Sequence, residues 1–211
     1  AGIAGIEHAW TKNIHSCCKK IFQCTFLSTD ILTQCGMIYG SIISVICNDF
    51  KRKSDADFLR ELCNEVDTHT RNSSLLPTLA LHRGIIASID VKVLLSQIRP
   101  NDHNDEKLHD SSIIYKYIIP SIFDAGLKSA DVSKRTYAFQ TLEQLFKNLL
   151  QYVEENDHEG AVVEDAHSIV NPDLIQTMLH IVLENWEHPS KRVSSLMSPL
   201  FESILRYQRI V

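Results

Sequence analysis

Along most of this chain apolar residues recur at i, i+3, i+4 and i+7, the spacing that gathers them on one face of an α-helix. From about Ile3 to Cys24 the stripe reads Ile6, Trp10, Ile14, Cys17, Ile21 and Cys24. Ser28, Thr29 or Asp30 then offers an N-cap to a helix over about 31–47. That helix is the most apolar window of the chain, and Gly36 and Gly40, four apart, suit it to close packing against a neighbour. A shorter helix is predicted from about Asp57 to Asp67. Ser73 or Ser74 caps another, carrying Leu75, Leu76, Leu79, Ile85 and Ile86, with Pro77 near its start, where a missing N–H costs least. The stretch "IDVKVLLSQI" (89–98) has the β-branched density of a strand but no partner strand, so a short helix is expected.

The second half repeats the pattern. Ile113, Ile114, Tyr117, Ile118, Ile122 and Leu127 share a face, with a kink expected at Pro120. Val132, Ala138, Phe139, Leu142, Leu145, Leu149 and Val153 stripe the next helix. Asn171 and Pro172 start another, striped by Leu174, Ile175, Met178, Leu179, Val182 and Trp186. Trp186 closes that stripe and is expected to be a core or inter-helix anchor. After the four-residue turn Trp186-Glu187-His188-Pro189, the residues Val193, Leu196, Leu200, Phe201 and Ile204 line a last helix. Polar stretches over about 99–110 and 156–170 read as flexible loops.

Two units share a form: a long apolar helix, a short turn, Ser-Lys-Arg (133–135 and 190–192), and a second apolar helix. Spans of roughly 35–45 residues suit stacked helix pairs. The expected fold is therefore all-α: a right-handed α-solenoid of HEAT/armadillo-like helical hairpins, about four pairs. Residues 1–211 form one helical-repeat segment, taken as a portion of a longer solenoid. The turn at Trp186–Pro189 then reads as a hairpin corner rather than an active-site loop.

Composition agrees. Seven glycines and six prolines are few for an all-β chain, and 44% hydrophobic with 22% charged residues is ordinary for a globular protein. The apolar window 31–47 carries Thr33, Gln34, Ser41 and Ser44, too polar and short for a membrane span. All six cysteines fall in the first third, none in a Cys-x-x-Cys pair; they read as reduced thiols in a cytoplasmic or nuclear protein.

Charge is uneven. Residues 1–53 carry a net +3, 54–189 a net −11 and 190–211 a net +3. The acidic total argues against a nucleic-acid coat, although the basic ends suit a phosphate backbone. Lys51, Arg52 and Lys53 form the densest basic run, and Lys191, Arg192, Arg206 and Arg209 the densest basic helix. These are the candidate contacts to RNA or a protein partner, a solvated face being the plainer alternative. Phosphate-loop, dinucleotide and nucleophile-elbow motifs are absent. His8 and His15 beside Cys17 and Cys18 lack the close pairing of a zinc site, and the histidines read as surface or capping residues. Asp102, Asp105 and Glu106 lack the glycine turn of a calcium loop. No catalysis, metal, cofactor or small-molecule substrate is expected.

The stretches "ENWEHPSKRVSSLMSPLFESIL" and "DVSKRTYAFQTLEQLF" resemble the THADA family of large α-solenoids, in which a Trp-Glu-His-Pro turn is followed by a basic amphipathic helix. "LPTLALHRGIIASID" (76–90) is similar to an upstream segment of that family, so the likeness runs in patches over 75–206. The family's Arg-Arg-Ser-Ala-Gly-Leu-Pro stretch is not present. The resemblance implies a non-catalytic regulatory partner of a tRNA ribose 2′-O-methyltransferase, contacting the catalytic subunit and tRNA near the anticodon. S-adenosylmethionine would belong to the partner enzyme. Trp186, Glu187, His188 and Pro189 carry over as a structural turn.

Overall fold

The computed structural model describes residues 13–18, 20–21, 28–48, 61, 64–65, 68, 75–93, 118–156 and 172–210. Among these residues nearly all are helical and none lies in a strand. The principal helices are α1 (Thr29–Asn48), α2 (Leu75–Ser88), α3 (Ile119–Phe123), α4 (Val132–Asn156), α5 (Pro172–Glu184) and α6 (Lys191–Ile210). A π-helical turn, Asp124–Lys128, continues α3 towards α4.

Local chemistry fixes the starts. The Ile31 amide donates to Ser28 Oγ at 3.3 Å, so Ser28 is the expected cap of α1. Asp131 caps α4, its Oδ1 accepting from the Ser133 and Lys134 amides at 2.8 and 3.3 Å. Pro77 stands in the first turn of α2, where it displaces no helical hydrogen bond.

The helices α1 and α2 make the most extensive packing, and glycine makes it possible. A Cβ on Gly36 would lie 2.1 Å from the Leu81 carbonyl oxygen, and one on Gly84 would lie 2.0 Å from that of Thr33. Backbone therefore touches backbone at the expected Gly36–Gly40 strip. Ser88 Oγ donates to the Met37 carbonyl at 2.6 Å across this contact. The Asp90 amide donates to Ser44 Oγ at 2.6 Å, which ends α2. That leaves the Ile86 carbonyl to accept from Asn148 Nδ2 of α4 at 2.8 Å.

From α2 the packing passes to α4 and from α4 to α6. The Arg83 guanidinium lies over the Tyr137 ring, 5.6 Å from its centre. Buried Val193, Met197, Leu200, Ile204 and Tyr207 repeat at intervals of three and four on α6, presenting one seam to α4. Phe146 and Tyr207 meet edge to face at 5.8 Å. Of the predicted stripes, Ala138 to Val153 on α4 and Val193, Leu200 and Ile204 on α6 are core, Val132, Leu196 and Phe201 pack half-buried against it, and Met197 and Tyr207 join it from outside the predicted stripe.

Two expectations shift. Cys17 is exposed, whereas Cys18 and His15 are buried, although Ile14 and Ile21 of the predicted stripe pack half-buried against the core. Pro120 lies near the start of α3, with π-helical backbone at Ile118 before it and in the π turn after it, and the residues before Ile118, on which a kink would be judged, lie outside the described residues. The extra residue in that turn rotates the face, so Ala125 and Gly126 are buried and Leu127 is exposed. The predicted loops 99–110 and 156–170 lie almost wholly outside the described residues.

Candidate functional site

The corner between α5 and α6 is built around Asn185, a residue the apolar pattern passes over. It stands four residues after Ile181, on the buried face of α5, and is fully buried. Its Nδ2 donates to the Ile181 carbonyl at 2.8 Å and to the Gly126 carbonyl at 3.2 Å. Its Oδ1 accepts from the Arg135 guanidinium, whose Nε donates to the Ser129 carbonyl at 2.6 Å. One amide therefore ties α5 to the π turn and to the first turn of α4. Gly126 permits the approach, since a Cβ there would stand 3.0 Å from Ile181 Cγ2. A polar residue on an apolar stripe was the sequence signal for Asn185. Nothing in the Ser-Lys-Arg tripeptide distinguished Arg135 from its neighbours.

After Asn185 the chain turns tightly. The Asn185 and Trp186 amides donate to the Val182 and Leu183 carbonyls, both at 3.2 Å, and the His188 amide to that of Asn185 at 3.1 Å. Ser190 N–H donates to His188 Nδ1 at 3.1 Å, and the Ser190 carbonyl accepts from Val193 and Ser194. The segment Trp186–Pro189 lies within this turn.

Trp186 is not a core residue, although it does make a contact between helices. It is 42% exposed, packing its ring edge to face on Phe201 at 5.6 Å. The helix ends at Glu184, so the turn carries Trp186 outward while Asn185 takes the inner position. Leu183 beside it is 58% exposed. The corner thus shows an apolar surface of Leu183, Trp186 and partly buried Phe201.

The basic residues of α6 do not converge on one patch. Lys191 and Arg192 are exposed at its first turn, whereas Arg206 and Arg209 are exposed near its end. At a rise of 1.5 Å per residue, Lys191 and Arg209 are about 27 Å apart along the axis. Arg206 is already paired with Glu154 of α4 at 2.7 Å. Lys191 and Arg192 sit at the positive end of the helix dipole with no acidic residue in that turn, which costs α6 stability. Lys51, Arg52 and Lys53 lie outside the described residues, as do His8, Asp102, Asp105 and Glu106.

A second polar site lies at the far end of α4. An open groove of about 460 Å³ is lined by Asp90, Val91, Lys92, Gln151, Tyr152 and Glu155. Asp90 Oδ1 there is committed to the Lys92 and Val93 amides, and Glu155 accepts from Gln151 at 2.8 Å. Among the described residues no group of three or more His, Cys, Asp and Glu side chains is placed to hold a metal ion. His15, expected at the surface, is buried with its Nδ1 hydrogen-bonded to Tyr39 Oη at 3.1 Å. Among the described residues, no helix is long and apolar enough to cross a membrane.

No protein-family model matches the chain, and no curated protein or solved structure matches it.

Proposed function

We propose that this chain is a non-catalytic scaffold, a right-handed solenoid of about four HEAT/armadillo-like helical pairs, and that it acts as the regulatory subunit of a cytoplasmic tRNA 2′-O-methyltransferase. The observation that carries the reading is the α5–α6 corner. Lys191 and Arg192 are held outward on a first helical turn that their charge destabilises, beside exposed Leu183 and Trp186. Cations kept where they cost the helix stability suit a phosphate backbone, which the helix amino terminus also favours. The neighbouring apolar surface suits a protein. Asn185 and Arg135 anchor the corner that carries both surfaces to the π turn and to the first turn of α4. The methyl donor and the ribose chemistry belong to the catalytic partner.

Co-purification of the full-length protein with a ribose methyltransferase tests this, together with anticodon-loop 2′-O-methylation in cells lacking it. Association and loss of the modification are expected; no association and unchanged methylation would end the proposal. Replacing Lys191 and Arg192 by glutamate should leave the helical circular dichroism intact and reduce tRNA retention at moderate salt.

A second reading, a general scaffold for protein cargo, draws support from the Arg206–Glu154 pair, which removes one cation from the basic helix. It expects partner binding that survives raised salt and is lost in Leu183→Asp.

A further inference from the structure

We infer that Cys18 and Cys35 form a reversible oxidation site, closing to a disulfide that pins the helical segment 13–18 to α1. The two segments run in opposite directions with matched register. His15 and Tyr39 are hydrogen-bonded at 3.1 Å, with their rings edge to face at 5.7 Å. Cys18 lies one turn after His15, and Cys35 one turn before Tyr39, so the same pair of helix faces brings the two thiols opposite each other. Both are buried, Cys18 at 1% and Cys35 at 2% exposure, in one apolar cluster. The neighbouring Cys18 thiol lowers Cys35 from its ordinary value, against the opposing pull of burial. Cys35 beside it, and then burial, push Cys18 up. Cys35 is therefore the attacking thiolate, and Cys18 keeps its proton until the second step.

A peroxide is the oxidant, small and uncharged enough to enter when segment 13–18 opens briefly. The Cys35 thiolate attacks one peroxide oxygen and the O–O bond breaks. Hydroxide departs and takes up the proton that Cys35 gave up on ionising, so it leaves as water and Cys35 becomes a sulfenic acid. The Cys18 sulfur then attacks the Cys35 sulfur, the S–O bond breaks, and the second oxygen leaves as water with the Cys18 proton. Two thiols and one hydrogen peroxide give one disulfide and two waters. Cys17, adjacent in sequence but exposed, serves as an internal control.

The test treats the purified 211-residue chain with hydrogen peroxide, blocks remaining thiols with N-ethylmaleimide, and maps linked peptides by mass spectrometry. A Cys18–Cys35 crosslink is expected in the parent and in Cys17→Ser. It should be absent from Cys18→Ala and Cys35→Ala, each checked for parental helicity. Oxidation should also raise the parent's Tm by about 5–10 °C, as closing a loop of this length does, and dithiothreitol should reverse it. A well-folded chain that yields no such crosslink, or one whose crosslink persists in Cys35→Ala, overturns the inference. So does an oxidation product that disappears only in Cys17→Ser.

Discussion

Replacing Asn185 by alanine removes two donors and one acceptor from a site with no water access. The Gly126 carbonyl and the Arg135 guanidinium would lose a partner at once. A loss of about 2–4 kcal/mol is expected in chemical denaturation, since groups left unsatisfied on burial are the costly ones. Trp186→Ala, one residue on, should cost only about 1 kcal/mol, because the ring is already half in solvent and loses mainly its contact with Phe201. The sequence pattern puts the opposite weights on these two neighbours. A measurement ranking Trp186 above Asn185 would contradict the corner's geometry.

Among the elements, glycine substitution separates two kinds of contact. Gly84→Ala sets a methyl 2.0 Å from the Thr33 carbonyl oxygen, and neither backbone can give way without parting α1 from α2. Destabilisation above about 3 kcal/mol is expected from equilibrium unfolding. At Gly126 the added methyl meets only Ile181 and Phe139 side chains, the nearer at 3.0 Å, so Gly126→Ala should cost about 1 kcal/mol. The Gly36–Gly40 strip was legible because two glycines four apart on an apolar helix have few other uses. The stripes of α4 and α6 were legible because their period is unbroken. Which thiol of segment 13–18 faces inward was not, since Cys17 and Cys18 are neighbours with the same side chain. The π turn was equally hidden, since an inserted residue leaves no compositional trace. Of the candidate site, the corner and the cations of α6 were readable. Their separation, and the loss of Arg206 to Glu154, depends on the neighbouring α4 surface.

For the molecule as a whole, two buried phenols set a limit in alkali. Burial raises Tyr39 from its ordinary value, with nearby Cys18, Glu65, Cys35 and Glu61 adding to the effect, and burial alone raises Tyr207. Below about pH 10 both states keep these protons. Above it the unfolded chain releases them while the folded chain holds them, so stability falls as pH rises through the gap. Each phenol contributes a slope of at most about 1.4 kcal/mol per pH unit. Denaturation midpoints taken between pH 9 and 11.5 should decline, and Tyr207→Phe should flatten the decline.

The backbone seating of α1 on α2 also bears on how the protein yields under load. Two rods whose main chains interlock, with Ser88 bonded across the join, behave as one stiff beam. Helix α5, leaning chiefly on α6 and the π turn, is the compliant member. Amide hydrogen exchange should therefore spread inward from α5, with the α1–α2 amides the slowest to trade their protons for deuterium. Any partner that bends this protein would find it giving way along α5, between its start and the Asn185 tether, while the glycine join stays rigid.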